Sequence, residues 1–192
     1  MHKPIALALP LLAPMFILAA CHSQPSVSAA NASMSEVQAK VAAASGDSQL
    51  VSPGRWEGTT TVHAMTIPGL SPAQQAELAA RQGTARKTVS CVTPEQIKAN
   101  KAFMAGDDMK DCKYDHFTMS GGKIDAVMSC NRGGMTMTAT LNGQYSPDTY
   151  HLDMTSKAQA PAGSPMGNMT MSVSVDAKRV GDCKGDELGA GK

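Results

Sequence analysis

In MTMTATLNGQYSPDTYHLDMTS, residues 135–156, apolar and polar side chains alternate on both sides of a turn. Met135, Met137, Ala139 and Leu141 interleave with Thr136, Thr138, Thr140 and Asn142. Tyr150, Leu152 and Met154 interleave with His151, Asp153 and Thr155. A period of two sends the two sets to opposite faces of a strand, so each run reads as a strand dry on one side and wet on the other. Pro147 and Asp148 between them suit a tight turn. Strands of this kind belong to antiparallel sheets, which keep one face in water.

The same pattern extends in both directions. Downstream, Met169, Met171, Val173, Val175 and Ala177 alternate with Thr170, Ser172, Ser174 and Asp176. Upstream, CKYDHFTMSGGKIDAVMSC (112–130) reads as a hairpin turning at Gly121-Gly122. That turn pairs Phe117 with Ala126 and Met119 with Ile124, and under strict alternation it leaves Cys112 on the face opposite Cys130. Further strands begin at Trp56 and around Val89 and Cys91.

Two short helices interrupt the strands. Ser71-Pro72 with Gln74, and Thr93-Pro94 with Gln96, carry capping-box residues and proline at the first helical position, with Gly83 and Gly106 beyond. The expected fold class is mainly β: a seven-stranded antiparallel meander forming a curved sheet or small open barrel, with two short helical insertions. Its apolar face should gather Met119, Met128, Met137, Leu141, Leu152, Met154, Met171, Val173 and Trp56.

The N-terminus gives a destination. His2 and Lys3 precede an apolar run from Ile5 to Ala20, the plan of a secretory leader and short for a membrane span. Leu18-Ala19-Ala20-Cys21 looks like a bacterial lipobox, in which Cys21 is acylated and becomes the mature N-terminus; the alternative is an ordinary leader cut nearby. His22, rather than Asp, follows, which implies sorting to the outer membrane, facing the periplasm. Residues 1–20 are thus expected as signal peptide and 21–52 as lipidated flexible tether. Within the tether, Val37, Val41 and Ala44 would share one face of a brief helix, here read as linker. A single β-rich domain over 53–183 and a disordered tail over 184–192 complete the plan.

Composition narrows the function. Removing the leader takes away Lys3 and leaves 16 basic against 16 acidic residues, with no basic stripe for nucleic acid. Aromatics make up only 4%, so Met, Val, Leu, Ala and Ile must build the core. Besides Cys21, Cys91, Cys112, Cys130 and Cys183 form an even set, expected as two disulfides in an oxidising compartment. A zinc site is the competing reading, but the chain has no C-x-x-C pair. Three connectivities are possible. Cys91–Cys112 would clamp the second helical excursion and is preferred, with Cys130–Cys183 following by elimination.

PGRWE (53–57), VSCVTPEQ (89–96), SCNRGGMTMTATLNGQYSPDTYHLDM (129–154) and RVGDC (179–183) together resemble the proteobacterial envelope family catalogued as domain of unknown function 3617. Arg55 departs from the apolar residue usual after Gly54. The resemblance implies secretion and a β-rich fold, and it carries over no catalytic or ligand residues.

No nucleophile setting, P-loop or dinucleotide fingerprint occurs, and His63, His116 and His151 all fall on polar faces. The expectation is a non-catalytic binding or interaction module without a cofactor. Its partner would be a small apolar ligand, held in a hollow of the apolar face, or another envelope protein. The alternative is Cu(I) handling by the thioether pairs Met135/Met137 and Met169/Met171, since soft sulfur suits that ion. Core packing by adaptable methionine explains the same pairs. An envelope enzyme ranks third.

Overall fold

A computed structural model describes residues 25–45, 50–98, 111–161 and 168–187. Its elements in chain order are β1 (Val27–Ser33), α1 (Met34–Ser45), β2 (Gly54–Thr66), α2 (Pro72–Ala80), β3 (Ala85–Val92), α3 (Pro94–Lys98), β4 (Cys112–Ser120), β5 (Lys123–Arg132), β6 (Met135–Tyr145), β7 (Thr149–Gln159) and β8 (Asn168–Gly181). The eight strands form one open antiparallel sheet in the order β1-β4-β5-β6-β7-β8-β2-β3. The β4–β8 meander is its centre, and β2 returns from early in the chain to pair with β8.

The expected hairpin is present. Phe117 pairs with Ala126 and Met119 with Ile124, and Gly121 and Gly122 turn the chain with φ of 56° and 75°, a left-handed pair that favours glycine. Leu141 stands opposite Met154, which stands opposite Val173. By register, the apolar set from Met119 to Val173, with Trp56, shares one face. Both expected helix starts also occur. Ser71 and Gln74 form a reciprocal cap, and Thr93 and Gln96 do the same. Gly106 lies outside the described residues.

Three expectations are corrected. Residues 21–52 are not a tether throughout. Val27–Ser33 is an eighth strand paired with β4, and Met34–Ser45 is a helix lying against both. Val37 of α1 is fully buried, in a core with Val27, Ala29, Ala32, Tyr114, Phe117, Met119 and Ala126. This small-residue strand gains its place because α1 buries its Val and Ala side chains, an effect local composition does not reveal.

The disulfides are Cys91–Cys183 and Cys112–Cys130, not Cys91–Cys112 and Cys130–Cys183. The cause is a bulge: the β4–β5 register shifts between Tyr114 and His116, so Asp115 is an extra residue. One extra residue inverts parity. It brings Cys112 directly opposite Cys130, and Tyr114 onto the same face as Phe117, where their rings meet edge to face at 5.1 Å. Cys91–Cys183, 92 residues apart, ties the end of β3 to the chain beyond β8.

Of the tail expected over 184–192, residues 184–187 are described and fold back onto β2, and the rest lies outside the described residues. The Glu187 carboxylate accepts from the backbone N–H groups of Lys184 and Gly185 at 2.8 and 2.9 Å and from the Arg55 guanidinium at 2.6 Å.

Candidate functional site

The wet rows of the sheet build the most developed site. Because cross-strand partners share a face, Gln144, His151, Asp176, Thr59 and Lys87 form one row across β6, β7, β8, β2 and β3. Thr149, Lys178, Glu57 and Val89 form the next. These two rows floor an open concavity of about 970 Å³. It runs from the Gly121-Gly122 turn to edge strand β3, with Ser146 and Val180 also on its wall. A volume near the upper end of the ordinary ligand range of about 300–1,000 Å³ makes this a binding-sized feature. It lies on the face opposite the methionines, whereas an apolar ligand would need a hollow among them.

His151 is the best-organised side chain in it. Its Nδ1 lies 2.7 Å from Asp176 Oδ1 and its Nε2 3.1 Å from Asp153 Oδ2. The hydrogen bond to Asp176 first, and that to Asp153 second, raise its pKa above the ordinary imidazole value. The ring joins β7 to β8 and sits between the two carboxylates. His116 similarly faces Asp125 at 3.1 Å on the hydrophilic side of β4 and β5.

His63 behaves differently. It is the unpaired residue of a second irregularity, between Val62 and Ala64 of β2, and its Nε2 lies 2.7 Å from Ser174 Oγ. Ser174 is buried in mid-strand, paired to Asp153 on one side and Thr61 on the other. A serine inside a ladder has no free backbone N–H beside it to stabilise an oxyanion, so this contact seats the bulge rather than building a hydrolase centre. Regular alternation conceals the pair, because it is the bulge that aims the imidazole.

The cysteines and methionines fall elsewhere. Cys91, Cys112, Cys130 and Cys183 are consumed as disulfides, and among the described residues no three His, Cys, Asp or Glu side chains gather as metal ligands. Met137 and Met169 share a row on the apolar face with Ala158 of β7 between them. Met171 lies one row further, opposite Ser156 and Met65, and Met135 stands opposite Arg132. The two thioether pairs are thus separated by a whole strand, and their half-burial fits core packing. Cys21 lies outside the described residues.

Trp56 anchors the other side of the same end of the sheet. It is 3% exposed, donates its indole N–H to the Ser52 carbonyl at 3.1 Å, and stacks on Tyr150 with ring centroids 5.7 Å apart. The turn before it requires glycine. Gly54 has φ of 141°, and a Cβ there would stand 2.3 Å from the Gly181 carbonyl oxygen. The Pro-Gly-x-Trp-Glu opening is therefore a structural corner behind the concavity, with Glu57 its first residue on the concave side.

Comparison with curated proteins and with solved structures returns no match. A family model described as a protein of unknown function, DUF3617, matches residues 51–183, from the buried Val51 beside Trp56 to the second cysteine of the Cys91–Cys183 bridge. The chain belongs to the DUF3617 family.

Proposed function

We propose that this protein is a non-catalytic binding module of the cell envelope, held at the periplasmic face of the outer membrane by an acylated Cys21. The concavity of about 970 Å³ on the hydrophilic face carries the binding reading. The leader and the lipobox-like Leu18–Cys21 support the anchor. Two disulfides suit an oxidising compartment. The non-catalytic part rests on site chemistry: both ring nitrogens of His151 are engaged by carboxylates, and Ser174 lacks an oxyanion setting.

Since β1 begins at Val27, only five residues lie between it and Cys21, a reach of at most about 20 Å. The domain then sits close against the bilayer instead of swinging on a long tether. Native mass spectrometry of protein purified from its own envelope tests the proposal. The expected spectrum shows a chain beginning at acylated Cys21 with a small noncovalent adduct. A chain retaining its leader would overturn the anchor, and an acylated chain free of any adduct would overturn the binding role.

A further inference from the structure

We propose that Lys87 and Lys178 make the concavity a site for a small organic dianion. This rests on the binding reading above and names the ligand class. Both lysines line the concavity, and neither makes an ion pair or side-chain hydrogen bond among the described residues. Lys87 stands on β3 opposite Thr59, and Lys178 on β8 opposite Glu57, two strands away and one row over. Strand spacing and rise put their Cα atoms about 12 Å apart. Two flexible four-carbon stems can close over that distance onto the two ends of one short ligand.

The neighbouring acids divide into two kinds. Asp176 is already engaged by the His151 ring at 2.7 Å and closes no ion pair with either lysine among the described residues. Glu57 is directly across from Lys178 without closing an ion pair, so it competes with a ligand for that ammonium. Val89, beside Lys87 on β3, and Val180, beyond Lys178 on β8, add apolar wall to the concavity. A dicarboxylate of four to six carbons matches the lysine reach and leaves room for substituents.

The signs of three substitutions separate this site from lysines that merely keep a surface soluble. Amide and imidazole NMR shifts of the folded protein are followed during titration with succinate, and in parallel with neutral succinamide. Saturable shifts at Gly121, Gly122 and the His151 ring are expected with succinate and not with succinamide. The double variant Lys87→Glu/Lys178→Glu should weaken binding by about tenfold or more, and Glu57→Gln should tighten it by about two- to fivefold. Unchanged signals elsewhere in the sheet certify that the variants fold. No saturable succinate shift, or equal shifts with succinamide, would overturn the dianion assignment. So would an affinity indifferent to the lysine reversals. None of these outcomes removes a co-purifying adduct from the native spectrum, so the wider binding reading stands or falls separately.

Discussion

Arg55 shows what one side chain accomplishes at the start of β2. An apolar residue there could not reach the tail, whereas the guanidinium pairs with Asp186 and Glu187 at 2.6 Å each and draws the chain after Cys183 back onto β2. Desolvation of the Glu187 side chain pushes its pKa up. The donors from Lys184, Arg55 and Gly185 outweigh that penalty and hold it down at about 2. A depressed carboxylate stabilises the fold above its ordinary titration range, and that contribution is lost as pH falls toward the folded value. Thermal melting should therefore show the wild type above Glu187→Gln at pH 7, with the two converging as pH drops from about 4.5 toward 2. Curves that stay parallel to pH 2 would show that the latch contributes nothing through this charge.

At the level of elements, α1 decides whether residues 25–45 are fold or leash. Val37 is fully buried against β1 and β4, so Val37→Asp places an unpaired carboxylate in the core and should cost about 3 kcal/mol or more in urea unfolding. An unchanged midpoint would return residues 34–45 to the status of linker. Much of the sheet was legible from period-two alternation, because the β5–β8 strands follow it without interruption and their turn residues are diagnostic. The two losses have physical causes. The helix start at Ser33 carries the same reciprocal cap with Glu36 that marks Ser71 and Thr93, yet the Ser- and Ala-rich surroundings resemble a linker. The bulge at Asp115 leaves a trace in sequence, since Tyr114 and Phe117 are bulky residues three apart in one strand. Reading that break in parity would have paired Cys112 with Cys130. Of the candidate site, His151 and Asp176 were legible as polar-face residues, whereas Lys87, Lys178 and Glu57 carried no signal that set them apart. Their convergence was not legible, because it depends on the curvature of the sheet and on β2 returning beside β8.

Across the whole molecule, two faces compete for the role of binding surface. One is the methionine-rich apolar side, whose β1–β4–β5 end is covered by α1. The other is the hydrophilic side, hollowed between the β4–β5 turn and β3. The Cys91–Cys183 bridge helps fix that hollow by joining edge strand β3 to the end of β8, and closing its 92-residue loop stabilises the fold by roughly 4.6 kcal/mol on a chain-entropy estimate. The Trp56–Tyr150 stack backs the hollow from the dry side, leaving the wet rows to meet a ligand. The most direct test compares ligand-loaded protein with protein stripped by unfolding and refolding, reading the His151 ring and the methionine methyl groups by NMR. The His151 signals should move while the methyls of Met65, Met128, Met137, Met169 and Met171 stay in place. Methionine methyls that shift while the His151 ring stays unchanged would contradict this and put the ligand on the apolar face.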